Sequence, residues 1–202
     1  MTPAILILSA AALPLAQRIR DALGGEIHGA AARVSGADVV FDDVGSHLRS
    51  LFVEGRPMVA VMASGAVIRL LASVLQDKAS EPPVLAVAED GSVVVPLLGG
   101  HHGANDLARK LSAALGAVAA VTTAGDLRFG IALDAPPPGY RLDPRCDAKA
   151  AMAELVAGGC ARLEGRADWL EASRLPLSGV IVLGPGEADA SVVALTVSEA
   201  AR

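Results

Sequence analysis

Runs of purely apolar residues alternate with amphipathic helical stretches through the N-terminal half, and this alternation constrains the fold more than any other feature. AILIL at 4–8 and PMVAVMA at 57–63 are unbroken apolar runs, and ADVVF at 37–41 reads as a strand between them. LPLAQRIRDAL follows the first run and sets Leu15, Ile19 and Leu23 on one helical face. VGSHLRSLFVEG precedes the PMVAVMA run, with Val44, Leu48, Leu51 and Phe52 inward and Gly55 as the stop. A helix over AVIRLLASVLQDK follows that run. Strands that are apolar throughout are buried on both faces, which requires helices above and below a mostly parallel sheet. The expected fold class is therefore α/β: three layers around a mixed, mostly parallel sheet.

VLAVAEDGSVVVPLL breaks the rhythm. Its Asp90-Gly91 pair marks a tight hairpin, and a link that short forces antiparallel pairing. A helix over 104–115 should follow, with Leu107, Leu111 and Leu115 on one face, and then a strand in VAAVTTA. DAPPPGYRLDPRC carries four of the twelve prolines and reads as an exposed connection. We therefore expect an N-terminal α/β domain over 1–125 and a second, smaller α/β domain over 126–202. The latter holds a helix in DAKAAMAELVAGG and strands in GVIVLG and SVVALTV around a GPGEADA turn.

Composition excludes several classes. Hydrophobic residues are 52% but aromatics only 2%, so the core is aliphatic and base-stacking platforms are lacking. The net charge of −5 offers no basic footprint, so no nucleic-acid partner is expected. The apolar N-terminus has no preceding Lys or Arg, is too short to span a bilayer, and runs directly into a helix. A cytoplasmic protein without membrane attachment is expected. Cys146 and Cys160 show no metal-ligand spacing and read as buried reduced thiols.

VPLLGGHHGANDLARKL at 95–111 places two of the four histidines on a glycine-rich loop opening a helix. Connection logic locates that loop. The strand ending at Met62 and the antiparallel strand ending near Leu98 must finish at opposite edges of the sheet. Asp77, Lys78, His101, His102 and Asn105 then share one edge, and Ser64 and Gly65 the other. Gly99, Gly100 and Gly103 permit positive φ and close backbone approach to a ligand, and first-turn N–H groups suit an anion or oxyanion. A histidine there can move a proton near neutral pH. Asn105 reads equally as a helix cap or a ligand contact. No metal site is expected, because adjacent histidines rarely share one ion and no third ligand is nearby. His28 and His47 read as structural or surface residues.

Residues 64–123 resemble the N-terminal region of the cobalt-precorrin-5A hydrolase family of cobalamin (vitamin B12) biosynthesis. The matching elements are Gly65, the Ile68-Arg69 and Asp77-Lys78 pairs, the Asp90-Gly91 hairpin, PLL at 96–98, Gly100-His101 and GAN at 103–105, closing on TTA at 122–124. GGHHGAN is one glycine shorter than the usual family spelling. GGHHGAND looks like the branch fused to a precorrin-3B C17-methyltransferase, so a downstream methyltransferase domain or other pathway enzymes are expected partners.

The resemblance implies a cobalt corrinoid substrate whose δ-lactone is opened with release of acetaldehyde. The cobalt belongs to the substrate, and no cofactor is bound by the protein itself. It implies His101 and Asn105 as catalytic residues, His101 activating water. Backbone N–H groups around Gly103 and Ala104 would hold the oxyanion. Gly65, Arg69, Asp77, Lys78, Gly100, His102 and Gly103 would contact substrate. The alternative is a non-catalytic corrinoid-binding or docking module beside the methyltransferase.

Overall fold

The structure, a computed structural model, describes residues 2–78, 80–133, 136–137, 139–142, 146–164, 167–181 and 192–198. The chain forms two compact units, Met1–Val121 and Thr122–Arg202.

The first unit is built on β1 (Ala4–Ile7), whose four residues are fully buried. Alternate side chains of β1 enter opposite cores, Ile5 and Ile7 one and Ala4 and Leu6 the other. Ser9 follows in extended backbone, then a 3-10 turn at Ala10–Ala12 and α1 (Leu13–Leu23). β2 (Glu26–Ala30) and β3 (Val39–Phe41) lie side by side and parallel. α2 (Val44–Val53) is capped by the Asp43 carboxylate, which accepts from Ser46 N–H at 2.7 Å. β4 (Met58–Val61), α3 (Ser64–Leu71), β5 (Val84–Val87), β6 (Val93–Leu98), α4 (Ala104–Leu115) and β7 (Val118–Ala119) complete the unit.

The seven strands run in the order β3-β2-β1-β4-β5-β6-β7. β1 to β5 are mutually parallel; β6 is antiparallel to β5 and parallel to β7. α1 and α4 cover one face and α2 and α3 the other, giving the expected three layers. The hairpin turn forms as expected. Gly91 has φ +73°, and the Asp90 carboxylate accepts from Ser92 N–H (3.0 Å) and Oγ–H (2.6 Å).

Three elements depart from expectation. β2 was not anticipated, because EIHGA mixes a charge, a histidine and a glycine where the other inner strands are aliphatic. Its Gly29 is needed for space: a Cβ there would lie 2.7 Å from Val34 Cγ1 and 2.8 Å from Ala37 Cβ. α3 ends at Leu71 and a 3-10 turn at Ala72–Val74, well short of Lys78. Val74 and Leu75 pack against the core beneath α3, and the chain leaves the helical path before the start of β5. Lys78 consequently sits in a loop, not at a helix C-terminus. β7 keeps only two residues of the expected strand.

The second unit contains α5 (Ala124–Phe129), β8 (Arg141–Leu142), α6 (Ala148–Val156), β9 (Cys160–Glu164), α7 (Asp168–Glu171), β10 (Leu177–Ile181) and β11 (Val192–Ser198). Its sheet runs β10-β9-β11-β8, with β9 and β11 antiparallel. Phe129, Leu155, Leu163 and Leu170 are among its core residues. β9 and α7 were not anticipated from sequence. The expected GPGEADA turn lies outside the described residues, as does part of the proline-rich connection. Cys146 and Cys160 are half-buried rather than buried.

Two histidines with no recognisable motif form a pair inside the first unit. His28 in β2 is 1% exposed, and its Nδ1 lies 2.7 Å from Nε2 of His47 in α2. Phe41 stacks on His47 with ring centroids 4.8 Å apart. One proton bridges the two nitrogens, so charging both rings would break the bond. Burial, then the neighbouring His47, holds His28 down at about 4, and burial also lowers His47. A folded-state value below the unfolded one means that the unfolded chain binds the proton first as pH falls. Stability is therefore full above about pH 6.5 and declines toward pH 4. We expect the urea midpoint to drop over this window, and to drop less in the His28→Leu/His47→Leu double variant.

The link out of β6 is fixed by a close backbone approach. Gly99 has φ +68°, and a Cβ there would stand 2.4 Å from the Pro82 carbonyl oxygen. Gly103 has φ +93° with no described atom within 4 Å of its Cβ position. Gly99→Ala should therefore cost about 2–4 kcal/mol, combining left-handed strain with a clash. Gly103→Ala should cost about 1 kcal/mol from strain alone. Chemical denaturation of the two variants checks the difference.

Candidate functional site

Antiparallel β6 divides the candidate residues between two edges of the first sheet. The five parallel strands end at what we call the carboxyl edge. β6 runs the other way and delivers Gly99 to the amino edge, beside the start of β5.

At the amino edge the backbone folds tightly. Gly99 adopts the left-handed conformation, Gly100–His102 make a 3-10 turn, and Gly103 is left-handed again before α4. The Gly99 carbonyl accepts from both His102 N–H (2.9 Å) and Ala104 N–H (3.1 Å). Ala104 N–H, expected as an oxyanion donor, is thus spent inside the loop, which is a correction to the sequence reading. The first donor of the regular helix is Leu107 N–H, bonded to the Gly103 carbonyl at 2.9 Å.

His102 is exposed, and its Nδ1 lies 2.5 Å from the Glu81 carbonyl oxygen. A carbonyl can only accept, so Nδ1 carries the proton. In the neutral ring Nε2 is then the basic atom, and it is the atom left to face a ligand. The bond also ties the histidine loop to the segment before β5. Asp77 and Lys78 are exposed on that same segment, where the Asp77 carbonyl accepts from Ser80 N–H at 3.1 Å.

Asn105 is 6% exposed in the first turn of α4. The helix cap itself is Gly103. The Asn105 amide packs beneath Gly100, where an added Cβ would meet its Nδ2 at 3.7 Å. The backbone of His101 lies in the 3-10 turn, and its side chain lies outside the described residues.

Gly65 and Arg69 sit elsewhere. Both belong to α3, which starts at the carboxyl edge directly after β4. Arg69 folds back one turn, and its Nη1 donates to the Gly65 carbonyl at 3.0 Å. The structure therefore brings Asp77, Lys78, Gly100, His102, Gly103 and Asn105 to one edge and leaves Gly65 and Arg69 at the other.

The carboxyl edge carries a cleft of about 540 Å³. It opens beyond the ends of β1, β4 and β5, where successive strands are laid down on opposite sides of β1. In open α/β sheets such a reversal of strand order leaves a crevice, because the connections depart in opposite directions. Sequence reasoning missed this site. Its signal is the small-residue turn MASGA at 62–66, which on its own lacks any phosphate fingerprint. Among the described residues, no group of three or more His, Cys, Asp or Glu could hold a metal ion. No described helix is long and apolar enough to cross a membrane.

Part of the chain is similar to known proteins. Two curated relatives are each named cobalt-precorrin-5A hydrolase. The protein from Priestia megaterium is 39% identical over 88 residues, which is 43% of this chain and 24% of that protein. The protein from Salmonella typhimurium is 40% identical over 87 residues, 43% of this chain and 25% of that protein. The match spans about a quarter of the length of either relative. A crystal structure of a cobalamin biosynthesis protein G homolog from Sulfolobus solfataricus aligns with 96% of this chain and 60% of its own. Its identity is 18% and its TM-score 0.47. Residues 46–126, which include the whole histidine loop, match the family described as Cobalamin synthesis G N-terminal.

Proposed function

We propose that this chain acts in cobalamin biosynthesis, in the cytoplasm, opening the δ-lactone of cobalt-precorrin-5A with release of acetaldehyde. The observation that carries this reading is the match of residues 46–126 to the Cobalamin synthesis G N-terminal family. The two curated relatives named for that hydrolysis support it. The cobalt arrives with the substrate, and the reaction as proposed calls on no metal held by the chain. The amino-edge loop suits the chemistry. A neutral His102, its Nδ1–H given to Glu81, presents Nε2 to a water molecule. That nitrogen takes a proton as the oxygen adds to the lactone carbonyl carbon, and the proton passes to the departing ring oxygen. His101 on the same turn is the second candidate for this role. Lys78 offers a cation to one of the substrate's carboxylate arms, with Asp77, Gly100, Gly103 and Asn105 around it. Gly65 and Arg69 are left out of this site because they stand at the other edge of the sheet.

The second reading is a corrinoid-binding or docking module that works beside a precorrin-3B C17-methyltransferase or another pathway enzyme. It is favoured by one observation: the described cleft lies at the edge opposite the histidines.

Acetaldehyde release from cobalt-precorrin-5A, followed with wild type, His101→Ala and His102→Ala, separates the two. Hydrolysis predicts release by wild type and a fall of about 10²-fold or more in at least one variant, with the circular dichroism spectrum retained. Corrinoid binding without release supports the docking module. Absence of corrinoid binding by all three proteins overturns both readings.

A further inference from the structure

The cleft at the carboxyl edge has a composition that specifies a ligand, and this goes beyond the reading above and does not depend on it. Its volume, about 540 Å³, falls within the range of small-molecule sites, roughly 300–1,000 Å³. Alanines at 12, 63, 86 and 88 line it, and their short side chains leave the space open. Few polar side chains interrupt this apolar wall. Arg33 stands on one side, and Ser9, Ser64 and Glu89 also line the cleft.

The backbone at Arg33 is held in place by its neighbours, and the side chain is exposed. The chain turns tightly after β2, with Arg33 N–H donating to the Ala30 carbonyl at 3.0 Å and Val34 N–H to the same oxygen at 2.9 Å. Val34 is buried directly on Gly29, which anchors the turn to the sheet. The guanidinium makes no ion pair or hydrogen bond among the described residues. Glu89 is already engaged by Ser9 Oγ, which donates to its Oε1 at 3.4 Å.

We infer that this cleft binds a small, largely apolar molecule bearing one carboxylate, with Arg33 as its counter-ion. A guanidinium fork matches a carboxylate in plane and spacing. The Ser64 hydroxyl adds a donor on the same wall. Glu89 selects against a phosphate dianion, which it repels more strongly than a single carboxylate. The apolar alanine wall takes the remainder of the molecule.

The test uses the full 202-residue chain and three probes: cyclohexanecarboxylate, cyclohexanecarboxamide and inorganic phosphate. Amide shifts in two-dimensional NMR report where each one binds. For so small a probe a dissociation constant of roughly millimolar order is expected. Cyclohexanecarboxylate should shift amides of residues 9–12, 33, 63–66 and 88–89. The neutral amide and phosphate should bind at least tenfold more weakly. Arg33→Ala should weaken the carboxylate at least tenfold, Arg33→Lys should restore part of the loss, and His102→Ala should leave it unchanged. Equal binding of the carboxamide, tighter binding of phosphate, or Arg33→Ala within twofold of wild type would each overturn the assignment. So would shifts confined to 99–105, or no shift with 20-fold more probe than that expected constant. None of these outcomes bears on acetaldehyde release, so the two proposals fail separately.

Discussion

Everything in the first unit is arranged around the burial of β1. Its four residues have no exposure to water and hydrogen-bond to a parallel neighbour on each side. Its alternate side chains enter both cores, so neither helical layer can form without it. Each fully buried aliphatic side chain of this kind contributes about 1.5–3 kcal/mol by leaving water. A strand paired on both sides also dictates where later strands go. β2 and β3 take one flank, and β4 must take the other. The cleft at the carboxyl edge is the geometric result of that choice.

The antiparallel β6 is the second decision, and it gives the unit two chemically different ends. One end has a recessed apolar space with an arginine on one wall. The other has a glycine-rich turn pinned to the Glu81–Pro82 segment through His102 and Gly99. The residues recognisable as a family signature gather mainly at the second end. The concave surface is at the first.

Much of this arrangement was legible in the sequence, for identifiable reasons. Apolar runs that lack a period of two reveal a doubly covered strand, as at 4–7 and 58–61. Asp90-Gly91 reveals a hairpin, and a hairpin reverses direction, so the separation of Ser64 from the histidine loop followed from chain tracing alone. β2 was illegible because its inward residues include His28, whose burial depends on a partner from α2 that no local pattern announces. The early end of α3 was illegible because the residues that stop it, Val74 and Leu75, are good helix-compatible apolar residues. Tertiary packing draws them away. The cleft was hidden for a related reason. It is made by strand order and by alanines from three separate segments, so no single stretch carries its outline. The engagement of Ala104 N–H by Gly99 was equally invisible, since it depends on the curl of the 3-10 turn.

The two outermost strands of the seven-stranded sheet are also its shortest, with three residues in β3 and two in β7. A sheet exposes its unpaired N–H and C=O groups only along such borders, and a long flat border is a template on which another chain can add a strand. Here each border offers too few main-chain groups in register to hold an incoming strand. β3 presents an exposed Val40, and β7 an exposed Val118, yet neither belongs to a long ladder. That brevity guards the native protein against edge-to-edge aggregation while leaving its apolar centre intact.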